Sequence, residues 1–226
     1  ALLASFRDKE DRVVAFIEEC RRLKIKVRPP DINASTLDFG IGPERQILFG
    51  LGAIKGVGDG VAEAIIRDRE ENGPFTHIFE FAERLKPFGL NRTALEALVK
   101  AGGFDGIEKN RRKHTDVVEA ALSFADTANR TRAAGQDSLF GGDSAEEPML
   151  PSYPMLPKQE LFTRSEILAM EKEVMGIYLS DHPLRGYERM VNVAASHTCS
   201  SISELEEGTK VRIAGVIASL RTIVTK

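Results

Sequence analysis

Residues Lys55-Gly56-Val57-Gly58-Asp59-Gly60 place three glycines at alternate positions directly after a lysine. Glycine adopts backbone angles that other residues resist, and its bare backbone leaves amide N–H groups accessible. A helix opening near Asp59 adds its positive end to those donors, a combination suited to a phosphate. Lys55 brings a cation to the same place. Such a site grips a sugar–phosphate backbone and reads no base sequence. The apolar neighbours have separate tasks: Val57 is expected to point inward and pin the turn, and Ala62 to let two helices approach closely. The competing reading is a compact helix pair whose turn touches no nucleic acid.

Little else offers chemistry. His77, His114, His182 and His197 are far apart in sequence, and neither Cys20 nor Cys199 stands at ligand spacing to any of them. That pattern predicts no zinc site. The glycine-rich stretch lacks the Gly-x-x-x-x-Gly-Lys-Ser/Thr spacing of a nucleotide-binding loop, and it follows no strand of a βαβ unit. Asp181 and His182 are adjacent, but with Pro183 next His182 reads as capping or packing a turn. No catalytic residue and no metal ligand is expected. Two distant cysteines build no disulfide framework, which points to a reducing cytoplasm.

The elements that must position the glycine turn can be read from periodicity. Residues 8–24 carry a helical pattern that Asp8 or Ser5 would cap, and Ile25-Lys26-Val27 reads as a short strand stopped by Pro29-Pro30. Two β-prone runs between Phe39 and Phe49 flank Gly42-Pro43-Glu44-Arg45 as a hairpin. Residues 51–123 are helical and repeatedly broken by glycine or proline, and a last helix covers about 110–130 with Val117, Val118, Ala121, Leu122 and Phe124 on one face. Residues 130–158 mix small, polar and proline residues as an exposed linker. A helical pattern returns over 160–178, and Val and Ile make 210–226 strand-like. No run is long and apolar enough to span a membrane.

The chain has 226 residues, with 31 Lys and Arg against 34 Asp and Glu, a net charge of −3. That total argues against coating nucleic acid by bulk electrostatics. It also averages over segments. Residues 84–114 are net +5, whereas 143–207 are net −7. The basic stretch includes Lys109, Arg111 and Arg112, which join Lys55, Gly56, Val57, Gly58 and Gly60 as candidate DNA contacts. A degenerate second copy of the turn is expected within Leu90–Arg111, around Gly102-Gly103.

One short peptide stands out in the linker. In Gln136-Asp137-Ser138-Leu139-Phe140, two large apolar residues have nothing local to pack against. Anchors of this kind fill a partner's hydrophobic pocket, and the competing reading folds them onto the chain's own core. The peptide resembles the Gln-x-x-Leu-Phe motif that binds the bacterial sliding clamp, with Leu139 and Phe140 in the pocket and Gln136 at its edge.

The pattern Ile54-x-Gly56-Val57-Gly58, with Ala62 four places on, resembles the helix–hairpin–helix motif. The blocks ECRRLKIKVRPPDIN (19–33), ILFGLGAIKGVGDGVAEAII (47–66), GPFTHIFEF (73–81) and LNRTALEALVKAGGFD (90–105) follow in order. With QDSLF, EKEVMGIYLSDHPL (171–184) and the closing VRIAGVIASL, they resemble the bacterial replicative DNA polymerase III alpha subunits, the C-family DNA polymerases. The resemblance implies a mainly α fold with a short β-hairpin. Residues 1–30 would end a fingers domain and 31–142 form the helix–hairpin–helix clamp-binding domain. Residues 143–208 would be a connection, and 209–226 the start of a truncated OB fold. It implies duplex primer–template DNA, the beta sliding clamp and, through a parent chain, other replicase subunits as partners. The polymerase palm, with its Mg²⁺, and the PHP domain would lie upstream, so no cofactor is expected here. Both ends read as cut from something larger. A DNA-repair or ligase-type helix–hairpin–helix module is the rival, and clamp binding separates the two.

Overall fold

The computed structural model describes residues 2–7, 9–133, 161–199, 201–217 and 222, which fall into two compact units, 1–180 and 181–226. The first is mainly helical. It contains α1 (Leu2–Ser5), α2 (Glu10–Arg22), α3 (Asp59–Asn72), α4 (Ile78–Leu85), α5 (Arg92–Ala101), α6 (Arg111–Ala133) and α7 (Arg164–Met175). Three two-residue strands, β1 (Val27–Arg28), β2 (Gly40–Ile41) and β3 (Ile47–Leu48), form a sheet in the order β1-β3-β2. The expected hairpin is the antiparallel pair, with Gly40 opposite Leu48 and Ile41 opposite Ile47. The expected short strand joins it in parallel, Val27 opposite Ile47.

Local chemistry explains where the helices start and stop. The α4 residues Ile78, Phe79, Phe81, Ala82 and Leu85 are all buried, and the His77 ring caps the helix by accepting from the Phe79 amide. Asn91 caps α5 by accepting from the Ala94 amide, and left-handed Gly102 ends it. Thr163 and Glu166 form a reciprocal capping box on α7, which ends at left-handed Gly176. The capping position before α2 is Lys9, with no side-chain cap, so Ser5 does not take that role, and Asp8 lies outside the described residues.

The core joins these helices through edge-to-face phenylalanines. Phe81 lies 4.9 Å from Phe75 and 5.0 Å from Phe104, ring centre to ring centre. Val174, Met175 and Ile177, at the end of α7 and just beyond it, belong to the same core. A helix assigned by sequence to the connection is thus built into the first unit.

The second unit contains α8 (Glu188–Ala194) and a turn of 3-10 helix at Ile202–Glu204. Its described residues 209–217 form no strand, although the Ser196 amide donates to the Arg212 carbonyl at 2.9 Å and the Arg212 amide to Ser196 Oγ at 2.9 Å. The Val- and Ile-rich run has strand propensity but no ladder partner among the described residues, and a strand needs one. No described helix is long and apolar enough to cross a membrane.

Candidate nucleic-acid interface

The glycine turn joins a 3-10 turn at Leu51–Ala53 to α3. Ile54 and Val57 are buried, with Val57 5% exposed, whereas Lys55, Gly56, Gly58, Asp59 and Gly60 face solvent. Val57 pins the turn as expected, and Ala62 is fully buried against its neighbours. The glycines serve different needs. Gly56 has φ +90°, and a Cβ there would stand 3.2 Å from Thr93 Cγ2 and 3.4 Å from Ala97 Cβ of α5. Gly58 has ordinary extended angles (φ −73°, ψ 154°), and Gly60 lies in the first turn of α3. A Cβ at either would meet nothing within 4 Å. The fold therefore requires glycine at 56 and leaves 58 and 60 open.

The start of α3 is left uncapped. The Gly58 carbonyl accepts from the Val61 and Ala62 amides at 3.0 Å, while the amides of Gly58, Asp59 and Gly60 donate to no backbone carbonyl among the described residues. Its neighbours α4, α5 and α7 all carry side-chain caps. Three outward amides at a helix N-terminus concentrate the positive end of the helix dipole. Asp59 adds a negative charge there, and Arg7 answers it at 2.8 Å while also reaching Asp38 at 3.1 Å. Arg7 shares with Lys55 the lining of a recess of about 220 Å³ beside the turn. Gly52 makes room for it, since a Cβ there would lie 2.8 Å from Arg7 Nη1. Nothing in the spacing of the sequence flagged Arg7, which is 52 residues from its partner Asp59. The turn itself is held from behind, where the Lys55 amide donates to the Val174 carbonyl at 2.8 Å.

A second turn of the same shape lies between α4 and α5, at the upstream edge of the stretch expected for it and not around Gly102-Gly103. Gly89 has φ +91°, Leu90 is buried and Asn91 caps the next helix. These three repeat the roles of Gly56, Val57 and Gly58. The Gly102-Gly103 pair instead ends α5.

The basic candidates divide sharply. Lys109 is exposed and has no ion pair among the described residues. Arg112 is half-exposed, 3.3 Å from Asp116 and stacked over the Phe162 ring at 5.1 Å. Arg111 is a correction. Its side chain is 4% exposed and donates to Asp105 at 2.7 Å, to Glu171 at 3.3 Å and to the Lys100 carbonyl at 3.0 Å. Burial alone would lower its pKa, but the bonds and charge of Asp105, then Glu171, hold it above the ordinary value. Arg111 faces the core and is removed from the phosphate-contacting set. Glu171, fully buried, also accepts the amides of Leu179 and Ser180 at 2.9 Å each.

The comparisons with known proteins agree with this geometry. A family profile described as a helix-hairpin-helix motif matches residues 24–114. DNA polymerase III subunit alpha of Pseudomonas aeruginosa is 35% identical over 242 aligned residues, covering 100% of this chain and 20% of that protein. The proteins of the same name from Neisseria meningitidis serogroup A and Saccharopolyspora erythraea are 36% and 34% identical, again over the whole of this chain and 19% of their own length. The chain is homologous from end to end to DNA polymerase III alpha subunits. It spans about a fifth of the length of these relatives. The fold expectation, mainly α with a short β-hairpin and a helix–hairpin–helix motif, holds. Among the described residues, no group of three or more His, Cys, Asp or Glu side chains is arranged to hold a metal ion. The peptide Gln136–Phe140 lies outside the described residues.

Proposed function

We propose that this chain is the DNA- and sliding-clamp-binding portion of a bacterial DNA polymerase III alpha subunit, working in the cytoplasm. In this reading the Lys55–Gly60 turn holds duplex primer–template DNA by its backbone, without regard to base sequence. Exposed Lys109 and half-exposed Arg112 add charge. Gln136, Asp137, Ser138, Leu139 and Phe140 tether the polymerase to the beta clamp. Tethering raises the effective concentration of polymerase at the primer end, so a weak peptide contact suffices for processive synthesis. Nucleotide addition and its Mg²⁺ belong to a palm outside this chain, and other replicase subunits meet it through the parent polymerase.

The observation that supports this reading best is the start of α3, where two glycines that the fold does not need leave three outward amides uncovered. Glycine at such a place suits the close approach of another molecule's backbone. Duplex affinity of the whole chain should fall steeply with salt and hardly vary with sequence. A Lys55→Glu, Gly56→Val double variant that kept full duplex affinity would sink the hairpin assignment. For the clamp, a pull-down with a bacterial sliding clamp should succeed with the parent chain. It should fail with Leu139→Ala plus Phe140→Ala, and equal capture of both would remove the peptide from the reading.

A further inference from the structure

The edge of the small sheet carries a separate set of cations, away from the glycine turn. Among the described residues β1 pairs with β3 on one side and with no strand on the other. Lys24, Lys26 and Arg28 lead into and along this edge, and all three are exposed. None has an ion pair or side-chain hydrogen bond among the described residues. Of the acids nearest in sequence, Glu18 is held by Arg21 and Glu19 by Arg22, each at 2.5 Å, and the Asp31 carboxylate accepts the Asn33 amide at 2.7 Å. Alternate residues of an extended chain are about 7 Å apart, so Lys26 and Arg28 can each meet a separate phosphate.

These cations border a groove of about 510 Å³ whose opposite wall is Leu179 and Ser180. That wall is fixed, because both amides are held by the buried Glu171 carboxylate at 2.9 Å. No aromatic ring lines the groove, so it offers no stacking platform for unpaired bases. Lys24 also sits in the left-handed region at φ 57°, just past the end of α2, where glycine would be more comfortable. Folding does not ask for a lysine there.

We propose that this groove is a second contact for the phosphate backbone of duplex DNA, additional to the glycine turn. It rests on the duplex-binding reading above but uses none of the same residues. The test is affinity of the whole chain for duplexes of mixed sequence between 50 and 200 mM salt. Each lost phosphate contact lowers the salt slope by about 0.9, so Lys24→Ala with Lys26→Ala and Arg28→Ala should lower it by about 2.7. The affinity deficit of that triple variant should then be about 40-fold larger at 50 than at 200 mM salt. Lys55→Glu should weaken binding separately, and the two effects should multiply. Lys24→Gly should lose about one contact of slope while melting no lower than the parent, an outcome misfolding cannot produce. An unchanged slope in the triple variant, with Lys55→Glu still weakened, would overturn the groove and leave the turn intact. The reverse would overturn the turn and keep the groove. A parent chain that bound no duplex at 50 mM salt would overturn both. Stronger retention of single strands than of duplex, abolished by the triple variant, would overturn the duplex assignment.

Discussion

Gly60→Ala should make the protein more stable and a poorer DNA binder at once. Gly60 is the second residue of α3, with a helical backbone, and a Cβ there would meet nothing within 4 Å. Glycine in a helix is less favourable than alanine by about 0.5–1 kcal/mol, so the substitution should stabilise by up to that amount. For a chain of this size that is a rise of about 1–4 °C in melting temperature. The same methyl group would stand where a phosphate must approach the amides of Gly58, Asp59 and Gly60. Losing one hydrogen bond to a charged group costs about 1.5–3 kcal/mol, or roughly 10- to 100-fold in affinity. Calorimetric melting gives the first quantity, and fluorescence anisotropy with a labelled duplex at fixed salt gives the second. The two should move in opposite directions, which a folding defect cannot imitate. A variant that melts higher and binds duplex as tightly as the parent would refute the phosphate cradle. Gly56→Ala lacks this power, because a side chain at φ +90° costs about 1–2 kcal/mol and confounds binding with folding.

Two further outcomes concern stability. Glu171→Ala should cost about 3–5 kcal/mol by urea denaturation, since it leaves Arg111 short of a buried partner and the Leu179 and Ser180 amides without an acceptor. Removing Arg111 and Glu171 together, as Arg111→Met with Glu171→Leu, should cost less than the sum of the single changes. Burial also depresses the pKa of His114, which is fully buried, donates from Nε2 to the Glu108 carbonyl at 2.9 Å and packs against Phe104. Below about pH 6.5 the unfolded chain binds a proton that the fold resists, so stability present at neutral pH should fall as the pH is lowered. Burial shifts His77 the same way. Melting curves from pH 7.5 to 5 should show this loss, and His114→Phe should make the slope shallower.

The parts of the interface that depend on neighbouring residues were legible in the sequence. Gly56, Val57 and Ala62 could be assigned their tasks because a tight turn limits what each position tolerates. The β2–β3 hairpin was legible for the same reason, with turn residues flanked by β-prone runs. Arg111 was misplaced because its partner Glu171 lies 60 residues away, and no local pattern tells an inward arginine from an outward one. The same separation hides the Arg7–Asp59 pair, whose residues are 52 apart. The second turn sits at the start of the expected stretch and not at its Gly102-Gly103 pair, because a double glycine is a stronger local signal than a lone one. The available signal was Gly89-Leu90-Asn91, which matches Gly56-Val57-Gly58 once asparagine is allowed as a cap. Residues 210–217 carry strand propensity yet form no strand, because pairing is a property of two segments and propensity describes only one.

The anchoring of α7 has a mechanical consequence. The residues between α6 and α7, which include Gln136–Phe140, are flanked by helices that both pack into the same compact unit. Any partner that pulls on that peptide therefore loads two attachment points rather than one. On the α7 side, the force meets the Arg111–Glu171 pair and the Lys55–Val174 backbone bond, so tension is shared with the turn at the start of α3.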